Sequence, residues 1–380
     1  MTNTAAESNS VQSLVCVVGA RPNFMKMAPI IRQLQSVRQL IRPFLVHTGQ
    51  HYDQAMKDTF FKQLGIPEPD VDLGVGSGSH TVQTANIMLK FESVLDNLNP
   101  FAVLVVGDVN STIACGLVAA KKQIPLIHVE AGLRSYDRGM PEEINRVLTD
   151  QISDLLFTTE RSAAENLIKE GVDSQRIRFV GNVMIDSLLA NCKQADSLPA
   201  ILERYGCHIP LVAGNYALLT LHRPSNVDEA EVLAGLIAVI GEVSKKIPVI
   251  FPVHPRTQQK IEAAGLLAQL PSDRVVLLPP VAYLEMLGLM QSARLVMTDS
   301  GGLQEETTAL GVPCVTLREN TERPITVTEG TNTIVGTNPE KIMQSVDDVL
   351  LNGGKQGRIP EYWDGQAAAR IVDEIARRYL

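Results

Sequence analysis

Leu295-Val-Met-Thr-Asp299-Ser-Gly-Gly302-Leu-Gln-Glu305-Glu306 is an apolar run that breaks into a Ser-Gly-Gly turn and opens a helix. A strand feeding a helix through small residues lets main-chain N–H groups approach a phosphate, and the helix dipole favours the anion. Glu305 or Glu306, an acidic pair expected in the first helical turn, would then stand where other nucleotide sites hold a ribose diol. Ordinary turn and capping chemistry accounts for the same residues: Ser caps, Gly turns, and Glu favours first turns. Read alone, the stretch fits both accounts. Its surroundings separate them.

Short apolar runs alternate with helical patterns from end to end, which predicts βαβ units and parallel sheets, an α/β fold. The first half offers runs at 14–18, 44–47, 103–106, 126–129 and 155–158, with amphipathic stretches such as 27–40 and 111–122 between them. The second half repeats the plan at 217–221, 249–253, 275–278, 295–297 and 313–317. Parallel strands buried on both faces show this lack of alternation. The polar stretch 191–215 reads as an irregular join between two Rossmann-like halves, a first domain over 11–190 and a second over 191–365. Open parallel sheets bind ligands beyond the carboxyl ends of their strands. The residues found there are Arg21 and Lys26, 47–51, Asp108, Glu130, His222 and Arg223, His254, and Ser300 to Gly302. A ligand in a cleft between two domains explains so many ionisable and phosphate-friendly groups most economically.

Composition excludes other classes. With 380 residues, 45% hydrophobic and 20% charged, the chain is an ordinary globular protein with room for two cores. A net charge of −8 leaves no basic footprint for nucleic acid or an anionic membrane. No apolar run approaches the roughly 18 residues of a membrane helix. The opening ten residues lack the basic and apolar regions of a signal peptide, which points to the cytoplasm. Five scattered cysteines lack metal or disulfide spacing, and Cys16, Cys115 and Cys314 read as small core residues.

Taken singly, the remaining pieces have structural alternatives. Gly19-Ala-Arg-Pro-Asn-Phe-Met-Lys26 follows the first strand but has one glycine where a dinucleotide fingerprint needs three. Gly74-Val-Gly-Ser-Gly78 mimics a nucleotide loop, yet no buried strand precedes it, so it reads as a flexible loop. Asp108 can cap the next helix, although Asn110 and Ser111 already offer that service. Glu130 ends a buried strand, where an unpaired carboxylate is costly, and Arg134 offers itself as partner. Glu142 sits in a first turn after Pro141, with Arg146 four residues on. His222 and His254 end strands at equivalent places, without the spacing of a metal site. Neither G-x-S-x-G nor a convincing nucleophilic Cys is present, which argues against covalent hydrolase chemistry. Three carboxylates near strand and helix ends of one half are harder to dismiss together than apart.

Six blocks then carry a resemblance. Gly19-Ala-Arg-Pro22, Gly107-Asp-Val-Asn-Ser-Thr112, His128-Val-Glu-Ala-Gly-Leu-Arg134, Pro141-Glu-Glu-Ile-Asn-Arg146, Asp299-Ser-Gly-Gly-Leu-Gln-Glu-Glu306 and Thr321-Glu-Arg-Pro324 resemble the non-hydrolysing UDP-N-acetylglucosamine 2-epimerases. The resemblance runs from about Leu14 to the C-terminus. It implies a GT-B fold: two Rossmann-like domains with a cleft between them and a C-terminal helix, 366–380, crossing back to the first. It also implies a homodimer that interconverts UDP-GlcNAc and UDP-ManNAc for envelope or capsular polysaccharide. By analogy Ser300, Gly301, Gly302, Arg21 and Arg323 hold the diphosphate region and Glu306 the ribose. Val281 and Met286 sit against uracil, with Met286 where an aromatic residue is common. Lys26, Asp108, Glu130, Glu142 and His222 surround the sugar and its leaving group, and His254 joins the substrate-binding set from its strand end.

The chemistry fits that inventory. C2 of the sugar has no neighbouring carbonyl, so direct deprotonation to a carbanion is unattractive. Transient oxidation would need NAD, and the glycine fingerprint is missing; no cofactor is expected. Breaking the anomeric C1–O bond first gives C1 oxocarbenium character and makes C2–H removable. That path needs carboxylates for the cation and the protons, and cations and N–H groups to retain UDP. Asp108, Glu130 and Glu142 are the candidate carboxylates; His222 and Arg21 are candidates for the departing diphosphate.

Two departures bear on substrate and regulation. Relatives activated by a second UDP-GlcNAc carry Gln-His-Arg-x-Met after the second strand; here Gln50-His-Tyr-Asp53 and Gly76-Ser-Gly-Ser-His80 argue against such activation. The Gly-Gln-His-Tyr-Asp variant resembles relatives acting on other UDP-2-acetamido sugars, including a 2,3-diacetamido uronate. A GT-B glycosyltransferase would share the UDP site but has less use for clustered carboxylates. A hydrolysing epimerase often carries a fused kinase domain, and a non-catalytic sensor has no need of the carboxylates.

Overall fold

The computed structural model describes residues 11–50, 64–207 and 209–380. Its first sheet contains β1 (Gln12–Val18), β2 (Ile41–His47), β3 (Val71–Asp72), β4 (Ala102–Val106), β5 (Leu126–Ala131), β6 (Leu155–Thr158) and β7 (Ile177–Phe179). These run in the order β3-β2-β1-β4-β5-β6-β7. The second sheet contains β8 (Ala217–Thr220), β9 (Val249–Pro252), β10 (Val275–Leu278), β11 (Leu295–Thr298), β12 (Cys314–Thr316) and β13 (Asn332–Ile334), in the order β10-β9-β8-β11-β12-β13. Every pairing in both sheets is parallel. The second order is that of a doubly wound dinucleotide fold, and the first is the same order with one strand added.

The order of each sheet reverses beside its first strand, between β1 and β4 and between β8 and β11. At that point the connecting helices leave for opposite faces, and a ligand can enter beyond the carboxyl ends of the strands. The strands at these positions are buried on both faces: all five residues of β4 and all four of β11 are buried. Helices complete the layers for local reasons. Helix His80–Leu98 is capped by the Ser79 hydroxyl, which accepts from Val82 N–H, and ends on left-handed Asn99. Helix Pro141–Ile152 starts on proline with Glu142 and Glu143 in its first turn.

The chain forms two compact units: one ends at Ser187 and takes back Tyr362–Leu380, and the other is Leu188–Glu361. Helix Ala367–Tyr379 packs on helix Arg21–Ser36 within the first unit, burying Ile371, Val372 and Ile375.

Some expectations shift. The helix expected over 27–40 is Arg21–Ser36, because Pro22 lies at the start of a helix that begins straight after β1. The 191–215 join is less irregular than its polarity suggests: Leu198 and Ile201, three apart, are buried by helix Leu198–Arg204. Strands β3, β7 and β13 have no counterpart among the ten apolar runs; each is a two- or three-residue sheet edge. No described helix is long and apolar enough to cross a membrane. Cys16, Cys115 and Cys314 are buried and free.

Candidate active site

In the first unit, chemistry gathers where β1, β4 and β5 end. Asn23 ties the first two ends together: its side-chain oxygen accepts from Gly19 N–H at 3.2 Å and Ala20 N–H at 3.0 Å, and its amide donates to Val106 O at 2.9 Å. Arg21, whose side chain lies outside the described residues, is the first residue of the helix that follows. One turn on, Lys26 forms an ion pair with Glu130, and the two side chains are only 5% and 3% exposed. Gly107, at φ +67°, makes room for the ammonium: a Cβ there would stand 2.9 Å from Lys26 Nζ.

Glu130 lies on a bulge. The β5–β6 register slips between Val129 and Ala131, and Glu130 takes φ +72°. A left-handed backbone costs a side-chain-bearing residue about 1–3 kcal/mol, and bulges re-aim side chains beside active sites. Its partner is Lys26, which corrects the expectation of Arg134. Arg134 instead pairs with Asp150 at 2.7 Å and Glu170 at 2.6 Å.

Asp108 follows Gly107 and does not cap the next helix, which starts at Asn110 after Val109. Its carboxylate pairs with the buried Arg146, and its carbonyl accepts from the Asn145 amide at 2.9 Å. Arg146 also grips Glu143 at 2.7 Å. The Arg146 contact expected of Glu142 therefore belongs to Glu143, three residues away and on the buried face. Burial works against the Glu143 charge, but the Ser135 N–H and the Arg146 guanidinium outweigh it and hold its carboxyl below the usual range. Glu142 is half-buried and has no ion-pair partner among the described residues. Behind the cluster, buried His128 stands 2.7 Å from Asp150 through Nδ1 and 2.9 Å from the Gly107 carbonyl through Nε2.

In the second unit, the corresponding place is where β8 and β11 end. Helix Gly301–Leu310 begins there, and the Ser300 side chain makes no capping hydrogen bond. The capping account of this serine therefore fails, and the N–H groups of the first turn are not taken by it. Glu305 and Glu306 are not in the first turn, as expected, but in the second: the helix begins at Gly301, and 3.6 residues complete a turn. Both are buried; Glu305 stands 3.2 Å from Arg323. A Cβ on Gly301 would lie 2.6 Å from Glu322 Oε1. Glu322 in turn meets Arg318 at 2.8 Å, Arg323 at 3.2 Å and Arg223 at 3.6 Å. Burial raises the pKa of the Glu322 carboxyl, but the three guanidiniums win and keep it far below the usual range. The helix start is thus lined by arginines that Glu322 organises, with Glu305 also on Arg323.

His222 is half-exposed with Nδ1 2.7 Å from Asp299. His254 is exposed and caps helix Pro255–Ala263, its Nδ1 accepting from Arg256 N–H at 3.3 Å. Burial, His222 and Arg256 lower the His254 pKa. Val281 is buried and Met286 half-buried, just before and within helix Tyr283–Ser292. Glu143, Arg318, Glu322 and Asp299 were not given roles from sequence, and Arg146 was read only as a helix partner of Glu142; all but Arg318 lie within the six blocks, and Asp299 is also a carboxylate straight after a buried strand.

Comparison with known proteins now bears on this geometry. The sequence model of the UDP-N-acetylglucosamine 2-epimerase family matches residues 35–376. The chain belongs to that family. It is 45% identical over 364 residues to the UDP-N-acetylglucosamine 2-epimerase of Methanococcus maripaludis, covering 94% of this chain and 97% of that one. It is 40% identical over 376 residues to the UDP-2,3-diacetamido-2,3-dideoxy-D-glucuronate 2-epimerase of Pseudomonas aeruginosa, covering 96% and 99%. Among solved structures, the UDP-GlcNAc 2-epimerase of Methanocaldococcus jannaschii in complex with UDP-GlcNAc and UDP superposes with a TM-score of 0.87 at 41% identity, covering 96% and 99%. As an epimerase-family chain, it carries its acidic cluster on the first unit and its arginine-lined helix start on the second.

Proposed function

We propose that this chain interconverts UDP-N-acetylglucosamine and UDP-N-acetylmannosamine by eliminating and re-adding UDP. The observation that carries the reading is Glu130, a carboxylate buried with Lys26 on a strained bulge, flanked in sequence by Asp108 and Glu142 at neighbouring element ends. In the forward direction the C1–O bond breaks, UDP departs with the electron pair, and a carboxylate takes the C2 proton. The products are 2-acetamidoglucal and UDP. Re-addition forms the C1–O bond again while a proton is delivered to the opposite face of C2. The atoms balance without a cofactor.

In this reading Asp108, Glu130 and Glu142 stabilise the cation and move protons, and Lys26 positions Glu130 through their buried contact. Arg21 and His222 meet the departing diphosphate. Ser300, Gly301, Gly302 and Arg323 hold it, Glu306 takes the ribose, and Val281 and Met286 flank uracil, with His254 at the edge. Support comes from the helix start free of a serine cap and from the six matching blocks. We propose further that the enzyme acts as a cytoplasmic homodimer feeding envelope polysaccharide, which rests on the family resemblance. Light scattering at twice the chain mass is the check.

The deciding experiment is proton NMR of the purified protein with UDP-GlcNAc in D2O, with neither NAD nor an acceptor added. UDP-ManNAc carrying deuterium at C2 is the expected product. A second reading, a 2,3-diacetamido uronate as substrate, is favoured by Gly49-Gln50-His-Tyr-Asp53, whose last three residues lie outside the described set, and by the 40% identical Pseudomonas relative. Turnover of that sugar alone would select it. Turnover of neither would overturn both readings.

A further inference from the structure

Asp299 is fully buried at the end of β11 and is surrounded by donors. The main-chain N–H groups of His222 and Arg223 each donate to Oδ2 at 2.9 Å, and the Asn226 amide adds a third bond at 3.2 Å. His222 Nδ1 lies 2.7 Å from Oδ1. Burial alone would raise this carboxyl, but the His222 hydrogen bond and charge, with the two N–H groups, carry it below its ordinary range. An ionised carboxylate only accepts, so the hydrogen between the two side chains sits on Nδ1. Nε2 is then the nitrogen left for a ligand, on a side chain 45% exposed.

His254 ends the neighbouring strand and is wired the other way. Its Nδ1 accepts a main-chain N–H from Arg256, so its neutral ring carries hydrogen on Nε2. Two histidines that look equivalent in sequence therefore present opposite tautomers. The charged and titratable groups around His222 are Asp299 after β11, His254 beyond β9, and its neighbour Arg223, itself tied to Glu322.

We infer that Asp299 is the positioning residue for His222, fixing the imidazole with its Nδ1–H on the carboxylate so that Nε2 faces the departing diphosphate, to which it donates as the N–H of the imidazolium. The inference takes the diphosphate from the epimerase reading above; the Asp299–His222 geometry stands without it. Because Asp299 immediately precedes Ser300, one carboxylate anchors both the histidine ring and the start of the anion-binding helix. An aspartate that sets a histidine's tautomer and orientation in this way supports catalysis without touching substrate.

The test is long-range 1H–15N NMR of 15N-histidine-labelled full-length protein, with the His222 signal assigned by its loss in His222→Asn. The expected result is an Nδ1–H tautomer in the wild type that moves toward Nε2–H in Asp299→Asn. Asn keeps the shape but turns one acceptor oxygen into an NH2 donor facing donors. Steady-state kinetics on the same variants add a second readout. Asp299→Asn should lower kcat by about 10²-fold or more with little change in KM. In a His222→Asn background the same substitution should cost no more than about twofold, since its target is gone. An Nε2–H tautomer in the wild type overturns the inference, even if Asp299→Asn fails to fold. So does an unchanged tautomer in a folded Asp299→Asn, or losses that multiply fully in the double variant. If the protein turned over no UDP-sugar, the spectrum would still read the tautomer, so failure of the epimerase reading remains distinguishable.

Discussion

At Glu130 two unfavourable terms coincide, a left-handed backbone and a buried charge, and Lys26 offsets only the second. Burying an ion pair is weak evidence for stability, but removing one partner strands the other, which costs about 3–5 kcal/mol. Lys26→Met should therefore lower the urea midpoint strongly and abolish turnover, whereas Glu130→Gln should lose turnover with a smaller loss of stability. Equal stability of Lys26→Met and wild type would sink the ion-pair account. Asp186 gives the opposite case. Its carboxyl accepts N–H bonds from Ala367 and Ala368, yet burial pushes it up to about 6, with Asp364 adding to the rise against Arg370. A folded pKa above the unfolded value of about 3.9 means the folded state binds the proton more tightly. The stability this supplies is fully present below pH ~4 and is lost as pH rises through about 6, a swing on the order of 1–3 kcal/mol. Asp186→Asn, a mimic of the protonated form, should flatten the stability curve across that window in chemical denaturation at pH 4 to 7. An unchanged slope would refute the assignment.

The helix Gly301–Leu310 shows how an element can be tuned against its own propensity. Ala is the better helix former by about 0.5–1 kcal/mol, but a Cβ on Gly301 would press on Glu322, which organises Arg223, Arg318 and Arg323. Gly301→Ala is expected to weaken UDP binding by about 10- to 100-fold, the loss of one or two charged hydrogen bonds, without lowering the melting temperature. Calorimetric titration with UDP measures it, and wild-type affinity would contradict the role given to this helix start. The element level was also where sequence spoke most clearly. All ten apolar runs became strands because parallel strands covered on both faces need apolar residues throughout. Val71–Asp72, Ile177–Phe179 and Asn332–Ile334 escaped notice because edge strands are short and partly exposed, so they need no apolar run. At the site, residues directly after strands were readable from the carboxyl-end rule, but their partners were not. Glu130 meets Lys26 and Asp108 meets Arg146 through tertiary packing, whereas local spacing pointed to Arg134 for Glu130 and to helix capping for Asp108.

At the scale of the whole chain, connectivity makes the two units unequal. The second is one continuous segment, Leu188–Glu361, while the first ends at Ser187 and is completed by Tyr362–Leu380. That returning segment is well anchored. Tyr362 stacks on Phe179 at 4.9 Å and lies so close to Gly181 that no Cβ would fit there. Trp363 is buried, and Asp186 receives the first N–H groups of helix Ala367–Tyr379. The helix buries Ile371, Val372 and Ile375 completely, each worth about 1.5–3 kcal/mol. Their sum is comparable to the 5–15 kcal/mol by which a domain is stable. A fragment of residues 1–187 should therefore expose an apolar face, bind a hydrophobic dye and precipitate, although it contains every strand of its sheet. Joining residues 362–380 to it through a flexible linker should restore a cooperative unfolding transition, and residues 188–361 alone should fold without help. Cooperative unfolding of 1–187 by itself would mean that the returning helix is an accessory to the first unit; failure of the linked form would mean that the first unit depends on the second for its stability.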